Sequence, residues 1–176
     1  LAIHYLPIVR PIAPSKIDVL SMKPITATDI IEDFLAVSAN DRLIAFTRYP
    51  QDELNQGKLW IKQLDTGNEQ RLNVEPAHRR NLIFSADSKQ LMYAKVLNTG
   101  GWQIVSLNIA TPKESEEQVL LENIQSKWIS SIRPTTNNQL YFIAENNGKR
   151  ELYQFDTALR RQQKINLPSV DFNPYE

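Results

Sequence analysis

The side chains that most often do chemistry are sparse in this sequence and are not arranged for catalysis. The chain has two histidines, His4 and His78, and no cysteine, so thiolate metal sites and cysteine nucleophiles are excluded. No Gly-x-Ser-x-Gly turn is present to expose a serine nucleophile. Neither histidine belongs to a His-x-x-x-His pair, and no Asp-x-Asp-x-Asp-Gly loop occurs. The sequence therefore predicts no enzyme activity, with no catalytic residue, no cofactor and no metal site.

Glycines and tryptophans are the remaining candidates for contacting a ligand. The glycine pair at 100–101 and Gly148 could suggest a phosphate cradle, but their positions suit hairpin turns better. Trp60 and Trp102 occupy comparable places in repeated segments, which is typical of core packing. Trp128 lies outside that pattern and is the candidate exposed aromatic residue.

Charge is balanced along the chain, with 20 basic and 20 acidic residues and a formal net charge of zero. The basic pairs at 79–80, 149–150 and 160–161 are scattered among acidic residues. Nucleic acids and anionic membranes attract proteins through a concentrated positive field. The sequence therefore predicts that this segment does not bind nucleic acid directly.

The first 30 residues differ in character from the rest of the chain. Four of the ten prolines lie within the first 24 residues, and proline fixes φ and removes a backbone donor. Residues 1–30 are therefore predicted to form a proline-rich linker or an edge strand. The apolar opening is nine residues long, whereas a membrane-spanning helix needs about 20. We expect a soluble segment taken from a longer protein.

Beyond residue 30 the sequence changes to short runs of β-branched and aromatic residues, separated by clusters of Asn, Asp, Gly and Ser. This pattern is typical of an all-β fold. The predicted strands lie near residues 34–38, 43–49, 58–65, 69–74, 81–85, 90–97, 101–109, 116–123, 128–134, 139–146, 150–156 and 162–167. Residues 112–123 have some helical character but are predicted as a strand because the repeat requires one.

The predicted strands form three copies of one unit. Equivalent apolar residues of the second strands stand 47 and 49 residues apart: Ile44, Leu91 and Leu140. Such a period with four short strands is what a propeller blade requires. The sequence thus predicts a partial β-propeller of about three four-stranded antiparallel blades. The domain would span residues 31–176, with blades near 31–76, 77–125 and 126–170.

Two local patterns explain how these units would pack. The second strands, at residues 43–46, 91–94 and 140–143, are continuously apolar, as expected of strands covered on both faces by neighbouring blades. Turns of the type Ser-x-x-Asp or Ser-x-Asp precede the first two. Short polar side chains in such turns bond to nearby backbone groups, so these serines and acids are assigned structural roles: Ser38, Asp41, Ser85 and Asp87.

The Ser-x-Asp turn, the Ile-Ala-Phe strand at 44–46 and the segment Leu-Trp-Ile-Lys-Gln-Leu-Asp-Thr-Gly at 59–67 resemble the repeats of TolB-like propellers. The resemblance covers residues 34–167. The family turn commonly reads Ser-Pro-Asp-Gly, and this chain departs from it in all three copies.

Divergent repeats behind a proline-rich segment are also similar to the extracytoplasmic domain of CadC-like or ToxR-like transcriptional regulators. That resemblance implies a sensory domain in the periplasm of a bacterium, attached through a membrane anchor to a DNA-binding domain elsewhere in the parent chain. Two alternatives remain: a TolB-like periplasmic protein-interaction scaffold, and the propeller of a prolyl-oligopeptidase-like hydrolase.

Closed propellers usually have four to eight blades, so an arc of three leaves two blade faces without a neighbour. The ends are predicted either to meet further blades of a parent chain or to pair in a homodimer. The regulator hypothesis predicts a protein partner or a small-molecule signal bound at one rim, by loops at 51–57, 98–101 and 146–150. Four residues are the predicted contacts: Trp128, Asn98, Asn146 and Arg150.

Overall fold

The structure is a computed structural model that describes residue 26 and residues 30–50, 53–110, 116–135 and 137–166. The predicted linker at 1–30 lies almost entirely outside the described residues, as does part of the predicted loop at 51–57. Within the described ranges there is no helix with the length and apolar character that a membrane crossing requires.

Three antiparallel four-stranded sheets follow one another along the chain and confirm the predicted all-β partial propeller. Blade 1 contains β1 (Ile31–Val37), β2 (Leu43–Tyr49), β3 (Lys58–Gln63) and β4 (Glu69–Arg71). Blade 2 contains β5 (Arg79–Phe84), β6 (Gln90–Val96), β7 (Trp102–Asn108) and β8 (Glu117–Ile124). Blade 3 contains β9 (Trp128–Pro134), β10 (Gln139–Asn146), β11 (Lys149–Asp156) and β12 (Arg161–Ile165). A 3-10 turn, Leu54–Gln56, lies between β2 and β3.

The tight turns before the second strands are held by the predicted serines. Ser38 Oγ accepts the Leu43 backbone N–H at 2.9 Å and donates to the Asn40 side chain at 2.7 Å. In blade 2, Ser85 Oγ accepts the Gln90 N–H at 3.0 Å and donates to Asp87 at 2.6 Å. The serine hydroxyl bonds a backbone amide in each case, as predicted for Ser38, Ser85 and Asp87. In blade 1 the side chain that bonds to the serine is that of Asn40 rather than the predicted Asp41, which instead has a positive φ of 55°.

The cores lie between blades rather than within them. One cluster joins blade 1 to blade 2, with Ala45, Leu59, Leu91 and Tyr93 at its centre. A second joins blade 2 to blade 3 through the other face of β6. Strand β6 therefore has four consecutive buried residues, from Leu91 to Ala94, because a blade contacts each of its faces.

Strand β10 departs from the predicted pattern. Leu140, Phe142 and Ala144 are buried against blade 2, whereas Tyr141 and Ile143 on the opposite face are half-buried. One face of β10 packs on blade 2 and no described blade covers the other. Strand β2, at the opposite end of the arc, still has four consecutive buried residues at 44–47.

The tryptophans of blades 1 and 2 are not equivalent, contrary to the prediction. Trp102 pairs with Val96 and is 5% exposed in the core between blades 2 and 3. Trp60 pairs with Phe46 on the outward face of blade 1. There Arg48 covers both rings, with its guanidinium carbon 4.6 Å from the centre of Trp60. One residue of offset along a strand reverses the face, which explains the difference.

Candidate functional site

The antiparallel order of the strands places the hairpins between second and third strands on one rim of the arc. The first residues of β1, β5 and β9 lie on the same rim, because each pairs with the last residues of β2, β6 or β10. We call this edge the hairpin rim. The opposite edge carries the serine turns and is called the turn rim.

All four predicted contact residues lie on the hairpin rim of blades 2 and 3. Trp128 begins β9 and is 36% exposed. Asn98 is exposed in the hairpin between β6 and β7. Asn146 is the half-buried last residue of β10, and the side chain of Arg150, near the start of β11, is 74% exposed.

Three of these residues belong to one neighbourhood. Glu145 pairs in register with Trp128 on one side and with Arg150 on the other, and the Arg150 Nε lies 3.7 Å from the Glu145 carboxylate. Asn146 follows Glu145 directly. Asn98 belongs to the adjacent blade and lies on a separate hairpin.

Ser126 fixes the position of Trp128. Its Oγ accepts the backbone N–H groups of Glu145 at 2.9 Å and Trp128 at 3.2 Å. Its carbonyl accepts the indole N–H of Trp102 at 3.1 Å. The start of β9 is thus bonded both to its own blade and to blade 2, which holds the Trp128 ring at the rim.

The structure adds two residues to the predicted surface. The guanidinium carbon of Arg80 lies 4.0 Å from the centre of the Trp128 ring and 5.4 Å from that of Phe34. Arg80 belongs to blade 2, Trp128 to blade 3 and Phe34 to blade 1. A cation in contact with two aromatic rings therefore links all three blades at the hairpin rim, and we call these three residues the rim stack.

Backbone distortions in the innermost strands place the rim stack. The pairing of β1 shifts between Asp33 and Ala36, and the pairing of β5 shifts between Arg80 and Ile83. Phe34 has a positive φ of 55° at the first bulge, a conformation that costs a bulky residue of order 1–3 kcal/mol. Strain of this kind concentrates at functional sites, so Phe34 adds weight to this surface.

Asn81 occupies the corresponding place in β5, also with a φ of 55°. Its side-chain amide donates to the Ile129 carbonyl at 2.6 Å, which joins the innermost strands of blades 2 and 3. Asparagine tolerates the left-handed region better than phenylalanine does, so blade 2 forms the bulge at lower cost. The rigid bulge keeps the adjacent Arg80 beside Trp128.

His78 lies under the rim among aromatic side chains. Its ring centre is 5.9 Å from that of Trp102, 6.4 Å from Phe34 and 6.5 Å from Tyr49. Burial lowers the pKa of His78 and the charge of Arg80 lowers it further, while Asp33 acts in the opposite direction. The folded protein therefore favours the neutral imidazole.

We expect stability to fall as the pH drops below about 6.5, the ordinary histidine pKa. The unfolded chain binds a proton there before the folded chain does, and proton uptake therefore favours unfolding. Urea denaturation at pH 7 and pH 5.5 measures the loss, and His78→Phe, which retains an aromatic ring, should lose less. An equal decline in both proteins would contradict the assignment to His78.

Arg79 anchors the rim from below and is fully buried. Its guanidinium donates to the Gly57 carbonyl at 2.8 Å, to the Glu75 carbonyl and to Glu117, whose Oε1 is 3.5 Å away. Glu117 also receives hydrogen bonds from Tyr93, at 2.7 Å, and Lys95. The two consecutive arginines thus have different roles, since Arg79 joins blade 1 to blade 2 and Arg80 faces the rim.

Burial by itself would raise the pKa of Glu117. Hydrogen bonds from Lys95 and Tyr93, together with the charges of Lys95 and Arg79, lower it below the ordinary value instead. Burial and the Glu117 charge raise the pKa of Tyr93 far above its usual range. These groups form an ionic network within blade 2, and the bond from Arg79 to the Gly57 carbonyl joins that network to blade 1.

In the parts of the chain that the structure describes, no three His, Asp or Glu side chains converge as a metal ion would require. The site at the hairpin rim instead combines an exposed indole, a strained phenylalanine and a half-buried guanidinium. This chemistry suits contact with another molecule by stacking, apolar burial and ionic pairing.

Comparison with known proteins finds the same fold in solved structures. TolB from Acinetobacter baumannii has a TM-score of 0.65 at 14% identity, over 81% of this chain and 34% of that chain. A prolyl endopeptidase has a TM-score of 0.60 at 15% identity, over 77% and 22%. Dipeptidyl peptidase 4 from Porphyromonas gingivalis has a TM-score of 0.55 at 11% identity, over 77% and 24%.

No protein-family model matches the chain, and no match was found among curated proteins. This chain spans about a third of the length of that TolB and less than a quarter of the two peptidases. At these identities the likeness concerns the fold. The chain therefore has the fold of three consecutive blades of a TolB-like β-propeller.

Proposed function

We propose that this chain is a non-catalytic protein-interaction module that contacts its partner through the hairpin rim. The observation that carries the proposal is the rim stack, in which Arg80 contacts Trp128 and Phe34 from the two neighbouring blades. Tryptophan and arginine are enriched among the residues that dominate binding energy at protein interfaces. Exposed apolar residues of β1, Ile31 at 48% and Leu35 at 54%, extend the apolar surface beside it.

Site-specific crosslinking tests this proposal and does not require the partner to be identified first. A photoreactive phenylalanine analogue is placed at Asn98 in the parent protein in its own cells, and at exposed Asn40 on the turn rim as the matched control. We expect protein adducts at Asn98 and none above background at Asn40. Equal adduct formation at both positions, or none at Asn98, would contradict a partner surface at the hairpin rim.

The Trp128→Ala change should reduce the Asn98 adduct at least tenfold. A buried tryptophan at an interface commonly contributes about 2 kcal/mol or more to binding, and about 1.4 kcal/mol corresponds to a factor of ten. Circular dichroism and thermal unfolding of the same variant establish that the fold survives. An unchanged adduct yield in a folded Trp128→Ala protein would remove Trp128 from the interface.

At a finer level, we propose that the module is the periplasmic sensory part of a bacterial membrane-bound regulator. The supporting observations are the TolB-like fold and the resemblance of the repeats and proline-rich start to CadC-like and ToxR-like proteins. The parent gene tests it, because a winged-helix domain and an apolar stretch of about 20 residues should precede Leu1. A downstream Gly-x-Ser-x-Gly domain would instead identify the propeller of a hydrolase.

A further inference from the structure

Arg80 differs from the other buried or half-buried cations in the part of the chain that the structure describes. Arg48, Arg79 and Lys95 each form ion pairs with glutamates. The Arg80 guanidinium forms no ion pair or hydrogen bond with any described residue, and its Nε, like that of Arg79, is buried without a partner. Guanidinium has five N–H donors, so a half-buried one without acceptors is an unusual feature that points to a missing partner.

Among the described acids, Asp33 acts on Arg80 by its charge, but its carboxylate has another hydrogen bond. Asp33 raises the pKa of Arg80 by its charge, but burial outweighs it and lowers the pKa overall. The Asp33 carboxylate accepts the backbone N–H of Phe34 at 2.7 Å, which stabilises the bulge of β1. Asp33 thus supports the Phe34 ring rather than forming an ion pair with Arg80.

Several cations also lie near Trp128. Lys127 precedes it, and Lys149 and Arg150 are exposed on the adjacent hairpin. Glu145 is the acid paired in register between Trp128 and Arg150. Arg80 contacts the indole from blade 2, so Trp128 lies at a rim of mixed charge, between this arginine and Glu145.

We propose that Arg80 binds an aspartate or glutamate side chain in an extended acidic segment of the partner protein, with the adjoining part of that segment lying over Trp128. The inference rests on the proposed function and specifies its partner chemistry. The planar guanidinium suits two parallel hydrogen bonds to a carboxylate. The aromatic rings of the rim stack would exclude water from that pair and strengthen it.

Selection from a library of random peptides displayed on phage tests the inference. Wild-type protein is compared with Arg80→Gln and with the control Arg42→Gln, an exposed arginine at the turn rim. We expect wild type and the control to enrich peptides rich in Asp and Glu beside an apolar residue, and Arg80→Gln to lose that bias. A selected peptide, synthesised with Asn or Gln in place of its acids, should bind wild type about 10- to 100-fold more weakly, as for one charge-assisted pair.

The outcomes separate this inference from the proposed function. One contrary outcome is enrichment of peptides that depend on Trp128 but are not rich in Asp and Glu. Another is that Arg80→Gln selects the same acidic peptides as wild type. Either outcome would overturn the inference and leave the proposed interaction surface unchanged. Failure to enrich any peptide that depends on Trp128 would count against both. If an acid of the chain's own residues outside the described ranges occupies Arg80, wild type shows no acidic bias and Arg80→Gln unfolds at lower temperature, which also overturns the inference. Arg80→Lys should bind the acidic peptide with an affinity between those of wild type and Arg80→Gln, because lysine retains the charge but not the planar contact.

Discussion

Replacing Arg79 with methionine is expected to lower the free energy of unfolding by roughly 3–5 kcal/mol, the usual cost of removing one partner from a buried ionic network. Methionine replaces the apolar stem of the arginine but ends near the position of Nε, so it also loses the contact of the guanidinium carbon with the Tyr93 ring, 5.3 Å from the ring centre. The main loss is that of the bonds to the Gly57 and Glu75 carbonyls and to Glu117.

Urea denaturation followed by tryptophan fluorescence measures the effect, with an unchanged m-value showing that the same transition is compared. Arg42→Met is the matched control, since Arg42 is exposed on the turn rim, and it should change stability by no more than about 0.5 kcal/mol. Equal stabilities of the Arg79 and Arg42 variants would show that the network is not what joins blades 1 and 2.

The stability of the Arg79→Met variant should fall less in acid than the stability of wild type does. In the folded protein the pKa of Glu117 is lowered. The ionised Glu117 therefore stabilises the fold at pH values above the unfolded-state pKa, and this stabilisation is lost as the pH falls from there through the folded-state pKa. Removing Arg79 removes one of the charges that lower this pKa, whereas Lys95 remains in place. The difference in stability between wild type and Arg79→Met should accordingly narrow below about pH 4, where an ordinary glutamate is protonated.

The architecture was accessible from the sequence because it depends on a repeated local pattern. The apolar second strands and the Ser38 and Ser85 turns specify where each blade folds back, and a four-stranded unit with apolar residues on both faces requires neighbours. The predicted bounds agree closely with most of the observed strands, but β5 begins at Arg79 rather than residue 81. The first two residues of β5 are arginines, whose polarity gives no local signal for a strand. They belong to the strand because they pair with Lys95 and Ala94, and that pairing cannot be read from neighbouring residues in the sequence.

The candidate site was only partly accessible. Trp128 was predicted to be exposed because it falls outside the repeat, and Asn146 and Arg150 were predicted as contacts because hairpins share a rim; partner contact by these residues stays a prediction. Arg80 and Phe34 were missed, since a bulge sets the direction of each side chain and nothing local in the sequence specifies a bulge. The basic pair at 79–80 was the one local signal for Arg80. Consecutive residues of a strand face opposite sides of the sheet, so a strand through this pair places one arginine in the core and the other on the opposite face.

The Gly57→Ala change is expected to destabilise the protein by about 3 kcal/mol, at the upper end of the usual cost of overpacking. Gly57 has a φ of −60°, which any residue can adopt, so the cost is steric. A Cβ there would lie 2.4 Å from Tyr49 Cε1, 2.7 Å from the Ala77 carbonyl oxygen and 2.7 Å from Thr47 Cγ2. Tyr49 is 1% exposed and Thr47 is fully buried, so these neighbours have little space into which to move.

Gly148→Ala separates this steric effect from backbone strain. Gly148 has a φ of 75° with open space where its Cβ would lie, so alanine there should cost only about 1–2 kcal/mol for the left-handed conformation. The unfolding temperature of Gly57→Ala should therefore be lower than that of Gly148→Ala, and the reverse order would contradict the close packing at Gly57.

The Gly57 carbonyl accepts a hydrogen bond from Arg79. The double variant Gly57→Ala/Arg79→Met should therefore lose less free energy of unfolding than the sum of the two single changes. Strict additivity would show that the β2–β3 hairpin and Arg79 stabilise the blade junction independently.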